Sequence, residues 1–312
     1  MIQYFKNIDQ QTVAVDKTES AVWVNVLPPL KQEEFSELSQ TMSIPIDFLK
    51  DSLDIDERSR YEIDDDVTLI VIKTPTENNS FNDSDAFYIT IPICIILTRQ
   101  QIVTVNSFEN EAIKKFLNSF QKRNPDKINM MVLKVFEKIT TNFQDYLKEI
   151  NQRRNLLEQK LYDSNRNVEL MELVRVQKSL VYFITALKSN ELLMMKIARA
   201  NILNLDSDEK EFLDDMIVET SQALEMANTY TNILNSSLDA FSGIISNNLI
   251  NVMKWLTSIA IILSLPALLT IIYLINISIP GKNASYSFYI PILLSLVVSV
   301  AISIYFWRKK WF

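Results

Sequence analysis

The sequence contains no histidine, and this absence excludes more chemistry than any motif in it establishes. Histidine is the usual general base near neutral pH and the commonest transition-metal ligand, so neither a Ser-His-Asp nor a Cys-His site can be built. Only 2 glycines are present, too few for a glycine-rich loop around phosphates. One cysteine, Cys94, allows no internal disulfide. Its apolar neighbours mark it as core filler rather than a nucleophile. The formal net charge is −7, with no basic stripe to neutralise phosphates, so nucleic acid is not expected as a partner. No set of nucleophile, base and oxyanion donor emerges, and the chain is not read as an enzyme. The first residues lack the basic-then-apolar pattern of a signal peptide, which predicts a cytoplasmic N-terminus.

What is present divides into three textures. Up to about residue 125, β-branched runs alternate with helical patterns. Strands are predicted over residues 21–27, 67–73, 87–98 and 101–105, helices over 31–42 and 109–123, and a polar turn over 78–85. Such alternation points to a sheet flanked by helices. Between Pro125 and Pro266 there is no proline, which suits long helices, with breaks expected near 163–167 and 204–208. From Ile217 a seven-residue pattern appears. One seam runs through Ile217, Leu224, Thr231, Leu238, Ile245 and Val252, and the other through Thr220, Ala227, Leu234, Phe241, Asn248 and Trp255. Sustained heptads fit a parallel bundle or an ordinary buried helix.

The third texture is apolar. Residues 255–281 and 286–307 carry no charge, and at about 1.5 Å per residue each crosses an apolar layer of about 30 Å. Lys254 precedes the first run and Arg308, Lys309 and Lys310 follow the second, while the connecting loop has only Lys282. The positive-inside rule then puts both termini in the cytoplasm and the loop outside. With 100° per residue from Met253, the positions Leu256, Thr257, Ala260, Ser264, Ala267 and Ile271 gather on one face. A small-residue face serves close helix packing or lines a narrow conduit, and the pattern leaves both open.

Residues Ser246-Asn247-Asn248-Leu249-Ile250-Asn251-Val252-Met253-Lys254-Trp255-Leu256-Thr257 resemble the start of the first transmembrane helix in the CorA family of divalent metal-ion transporters. Leu265-Pro266, then Tyr273, Asn276 and Pro280, repeat that family's spacing, and Arg308-Lys309-Lys310-Trp311-Phe312 is similar to its basic tail. Phe48-Leu49-Lys50-Asp51-Ser52-Leu53-Asp54, with Glu57-Arg58-Ser59-Arg60-Tyr61-Glu62, resembles a cytoplasmic segment of the family. The resemblance implies an α+β cytoplasmic domain, an α/β/α sandwich, on long stalk helices and two C-terminal transmembrane helices, assembled as a funnel-shaped homopentamer in the cell membrane. It implies a cytoplasmic α/β domain over 1–125, long helices and stalk over 126–251, a pore-lining helix over 252–276, an external loop over 277–286, a second span over 287–307 and a cytoplasmic tail over 308–312.

The same resemblance implies the site residues. Met253 and Leu256 would form an apolar constriction, continued by Ala260, Ser264 and Ala267, with Tyr273, Leu274, Ile275 and Asn276 at the outer mouth. Asp51, with Asp215 from a neighbouring subunit, would bind regulatory Mg²⁺. The acids from Asp206 to Asp215 also fit a solvated helix start favoured by the helix dipole. Two departures stand out. The family's Gly-Met-Asn reads Leu274-Ile275-Asn276 here, and Gly281-Lys282 follows Pro280 where family loops carry an acid. The expected activity is transport of divalent cations, Mg²⁺ foremost, driven by membrane potential and gated by cytoplasmic metal, with no catalytic cofactor. The alternatives are transport of Co²⁺, Ni²⁺ or Zn²⁺, or a non-conducting metal-responsive sensor.

Overall fold

The computed structural model describes residues 2–8, 11–15, 21–27, 32–52, 54–78, 85–99, 101–106, 113–114, 127–164, 167–274, 289–309 and 311. It divides into two compact units, Met1–Ser236 and Ser237–Phe312. In the first unit, strands β1 (Ile2–Ile8), β2 (Gln11–Val15) and β3 (Trp23–Val26) precede helices α1 (Gln32–Met42) and α2 (Ile46–Asp51). Strands β4 (Arg60–Asp64), β5 (Val67–Glu77), β6 (Tyr88–Leu97) and β7 (Ile102–Asn106) follow. Then come α3 (Ile128–Ser164), α4 (Asn167–Ala200) and α5 (Ser207–Leu274), and α6 (Tyr289–Arg308) closes the chain.

The seven strands form one sheet in the order β2-β1-β3-β7-β6-β5-β4. Only β3 and β7 run parallel; the other neighbours are antiparallel. The central strands read as apolar and β-branched runs, interrupted by a few buried polar residues such as Asn25 and Thr104, because both faces are covered. Val24, Val26, Leu69, Val71, Cys94, Ile96, Val103 and Val105 pack with Leu38, Met42, Phe48 and Leu49 of α1 and α2. On the other face Trp23, Ile95 and Ile102 lie against Met131, Val132 and Val135 of α3. Two helical layers around a sheet confirm the expected α/β/α sandwich. Because α3 and α4 supply one of those layers, they share a compact unit with residues 1–125.

A buried polar ladder registers the parallel pair. The Trp23 indole N–H donates to Thr104 Oγ1 at 3.0 Å, and Thr104 Oγ1 donates to Asn25 Oδ1 at 2.8 Å. A one-residue slip would leave these buried groups unpaired, at about 1–3 kcal/mol each.

Four elements were not anticipated: β1, β2, α2 and β4. Strand β4 reads Arg60-Tyr61-Glu62-Ile63-Asp64, too polar for a core strand, because it lies at the sheet edge where charges discourage pairing with other chains. Strand β5 runs four residues past the expected end at Lys73, through Pro75. Lys73 turns its N–H and C=O away from β6 toward the Asn190 amide. Pro75, two residues on, turns the same way, and β4 has already ended opposite Val71, so no ladder bond is lost. Of the predicted 109–123 helix only residues 113–114 are described, and of the 78–85 turn only residues 78 and 85.

Glycine scarcity shows in the turns. Ser43, Asp65, Asn201 and Asn204 take positive φ, from 47° to 54°. Short polar side chains tolerate this left-handed region best after glycine. Asn201 and Asn204 turn the chain from α4, which ends at Ala200, into α5, which starts at Ser207, so the break begins three residues before the 204–208 expected from sequence. The other break falls between the end of α3 at Ser164 and the start of α4 at Asn167.

The heptads need a correction. Thr220, Ala227, Leu234 and Phe241 are buried, but their companions are Met216 and Ala223 rather than Ile217 and Leu224. From Ile245 onward the expected seam positions Asn248, Val252 and Trp255 are exposed. Within the first unit this stripe meets α3 and α4 at Thr220, whose Oγ1 lies 3.0 Å from Thr140 Oγ1 and contacts the Met194 sulfur.

Cys94 is fully buried, and burial pushes its thiol up to about 12. The raised value keeps it protonated at neutral pH, so a thiol reagent at pH 8 is expected to modify the native chain only as it opens. Labelling as fast as in denaturant would contradict this packing.

Candidate functional site

Helix α5 is the one helix among the described residues long and apolar enough to cross a membrane, and its most apolar window is almost wholly uncovered. A second, shorter apolar helix covers Ile292–Arg308. Leu263 is 70% exposed, and on α6 Leu293 is 68% and Trp307 72% exposed. Water does not sustain contiguous apolar surfaces of this kind, so lipid or other protein must cover them.

Ser258 is fully covered and Ile262 and Leu265 are half-covered. With 100° per residue these centre roughly opposite the line through Met253. Met253, Leu256, Ala260, Ser264 and Ala267 are all exposed on that line. The Met253 line is part of a broad uncovered surface of this helix that also takes in Val252, Trp255, Leu263 and Leu268. Hydroxyls on this helix are quenched locally: Ser258 donates to the Lys254 carbonyl at 2.7 Å and Ser264 to the Ile261 carbonyl at 3.0 Å. Such back-bonding lets serine sit in apolar surroundings without an orphan donor. Tyr273 and Leu274 end α5, while Ile275 and Asn276 lie outside the described residues.

Asp51 ends α2, and its carboxylate is already engaged. Arg60 Nη2 donates to Asp51 Oδ2 at 2.7 Å, Arg60 Nε donates to Glu57 Oε1 at 2.9 Å, and Nη1 donates to Glu62. Three carboxylates thus surround one guanidinium. Burial alone would weaken the Arg60 charge, but the hydrogen bonds it donates to Glu57 and Glu62 outweigh it and hold the group protonated. Sequence reasoning quoted Arg60 without this role. The carboxylates at positions 51, 57 and 62 around position 60 were the available signal.

Asp215 is exposed on α5, and among the described residues no hydrogen bond or ion pair joins it to Asp51. Nor do the described residues hold a group of three or more His, Cys, Asp or Glu arranged for a metal. At the helix start, Glu209 N–H donates to Asp206 Oδ1 at 2.9 Å and Asp206 N–H donates to Glu209 Oε2 at 3.0 Å. This reciprocal cap explains two of the acids as helix-starting residues. Lys127 also pairs with Asp206; that hydrogen bond and the Glu209 N–H hold the Asp206 carboxyl below its usual range.

Asn190, 1% exposed on α4, was missed from sequence. Its Nδ2 donates to the Lys73 carbonyl at 2.7 Å, and its Oδ1 accepts from the Lys73 N–H at 3.0 Å and the Ser59 hydroxyl at 2.7 Å. One amide thereby ties α4 to β5 and to the loop before β4. An asparagine at core spacing between Phe183, Leu187 and Met194 was the signal that could have found it.

The family model described as "CorA-like Mg2+ transporter protein" matches residues 18–309. A cobalt/magnesium transport protein CorA from Methanocaldococcus jannaschii is 25% identical over 93% of this chain and 90% of its own length. The protein of the same name from Thermotoga maritima is 19% identical over 98% of this chain and 88% of its own length. The complete structure of the M. jannaschii CorA magnesium transporter superposes with a TM-score of 0.87 at 23% identity, covering 100% of this chain and 99% of that one.

Proposed function

The chain belongs to the CorA-like Mg²⁺ transporter family, and from this premise we propose that it is a membrane channel for divalent cations, Mg²⁺ foremost, driven by membrane potential. The observation that carries this reading is the family match over nearly the whole chain, cytoplasmic and apolar parts together. The exposed Met253 line supports the finer reading. Five copies of α5 would turn that line toward a common axis, with Met253 and Leu256 as the narrow apolar ring and Ala260, Ser264 and Ala267 beyond it. Asn276 would stand at the outer mouth, where amide oxygens suit a hydrated ion that dehydrates reluctantly. The basic residues Lys254, Arg308, Lys309 and Lys310 support cytoplasmic termini.

Full-length protein in proteoliposomes, with an internal Mg²⁺ dye and a negative-inside potential, tests the proposal. Mg²⁺ uptake above that of empty vesicles is the expected result. A second reading, altered selectivity, is favoured by Leu274-Ile275 in place of Gly-Met. Uptake of Co²⁺, Ni²⁺ or Zn²⁺ without Mg²⁺ would establish it, and silence for all four would leave a non-conducting sensor or a channel locked shut.

Gating by cytoplasmic Mg²⁺ at Asp51 and the partner copy's equivalent of Asp215 is part of the proposal. Arg60 then acts as a competing internal cation. Asp51→Ala with Asp215→Ala is expected to abolish Mg²⁺-dependent protection of the cytoplasmic part against protease. Arg60→Gln, which releases Asp51, is expected to lower the protective Mg²⁺ concentration severalfold. Unchanged protection in the double variant removes the assignment.

A further inference from the structure

We propose that the cleft between the loop at residues 54–59, strand β5 and helix α4 binds a small amphipathic anion: a carboxylate or phosphate on an apolar body. The cleft encloses about 510 Å³, within the roughly 300–1,000 Å³ of small-molecule sites. Its lining brings three cations, Arg58, Lys73 and Lys188, against one carboxylate, Asp56. Within the lining that is an excess of two positive charges on a chain whose net charge is −7, while Asp54 and Glu57, just outside it, also act on Lys73. Among the described residues no ion pair occupies Arg58 or Lys188. Lys73 is anchored in the floor, its Nζ donating to the Ile55 carbonyl at 2.9 Å.

The remaining wall is apolar. Val181, Tyr182 and Leu192 line the cleft from α4, each about half exposed. Like charges beside an apolar wall repel a metal cation and leave that wall uncovered in water. A ligand with an anionic head and an apolar body satisfies both at once. The cleft is also preformed, which lowers the ordering cost of binding. The Asn190 amide clamps its three walls together through Lys73 and Ser59. Neither Asp51 nor any residue of the Met253 line is among those lining the cleft.

The test uses the full chain in lipid nanodiscs, without Mg²⁺, in equilibrium dialysis against empty nanodiscs. The probe is 1-naphthyl phosphate, with inorganic phosphate and 1-naphthol as its separate halves. Saturable binding of one probe per chain is expected, at least tenfold tighter than either half. Arg58→Gln with Lys188→Gln should weaken it at least tenfold, and so should Leu192→Glu. Asp66→Asn, on the β4–β5 turn outside the cleft, should not. Protection of Cys94 from thiol reagent checks that each variant is folded. Binding no tighter than inorganic phosphate, retention equal to that of empty nanodiscs, or indifference to the cleft variants in folded protein overturns the proposal.

Discussion

Replacing Leu256 with asparagine is expected to raise Mg²⁺ uptake into proteoliposomes at least tenfold at fixed metal on both sides. The residue is 56% exposed in the single chain, on the face opposite the covered Ser258. In the proposed assembly five copies of it narrow the conduit beside Met253. An apolar ring of that width excludes water, and an ion that keeps its hydration shell is blocked with it. Asparagine is close to leucine in size but holds water, so it lowers the barrier without widening the ring. A tenfold gain needs about 1.4 kcal/mol, less than the approximately 1.5–3 kcal/mol that separates a hydrated from a dehydrated leucine side chain. Met253→Ser should act in the same direction. Ser258→Ala, on the covered face, should leave uptake unchanged. If Leu256→Asn protein assembles and reaches vesicles normally yet conducts no faster, the constriction lies elsewhere.

Asn190→Ala is expected to speed the labelling of Cys94 by roughly a hundredfold. The substitution strips partners from the Lys73 N–H and C=O and from the Ser59 hydroxyl. Ser59 is half-exposed and can turn to water. The two backbone groups are walled in by α4, and each costs about 1–3 kcal/mol when left unsatisfied. A total near 3 kcal/mol corresponds to roughly a hundredfold in the opening equilibrium, at tenfold per 1.4 kcal/mol. Cys94 lies in the sheet core and reports that opening directly. Ser59→Ala, which removes one partly solvated bond, should change labelling by less than tenfold. A labelling rate in Asn190→Ala equal to that of the unsubstituted chain would show that the Asn190 amide does not limit this opening, leaving apolar packing and the bond from the Tyr88 N–H to Ser179 Oγ to hold α4 to the sheet.

How legible the protein was depends on the range of the physics involved. The absence of histidine, the scarcity of glycine and the two charge-free runs exclude or require things that no tertiary arrangement can alter. A chain without imidazole has no histidine site in any fold, and an uncharged run of that length needs an apolar surrounding wherever it lies. Strands β3, β6 and β7 were readable because burial on both faces leaves runs rich in apolar and β-branched residues. The grouping of Met253, Leu256, Ala260, Ser264 and Ala267 on one helical face was readable because helical periodicity is local.

Other features were decided only in three dimensions. Strand β4 carries a charged sequence because it is an edge, and edge position is a property of the sheet. The heptad companions shifted by one residue because α3 and α4 select which stripe of α5 they bury, over separations of up to 80 residues in the Thr140–Thr220 contact. Asp51 reads as a free carboxylate until Arg60, nine positions later, folds back onto it. Asn190 reads as an irregularity in an apolar helix until the Lys73 backbone, 117 positions earlier, takes both ends of its amide. Composition and period follow from neighbours along the chain. The partners of a buried polar group follow from which segments fold against it, and that pairing is what the tertiary structure alone supplies.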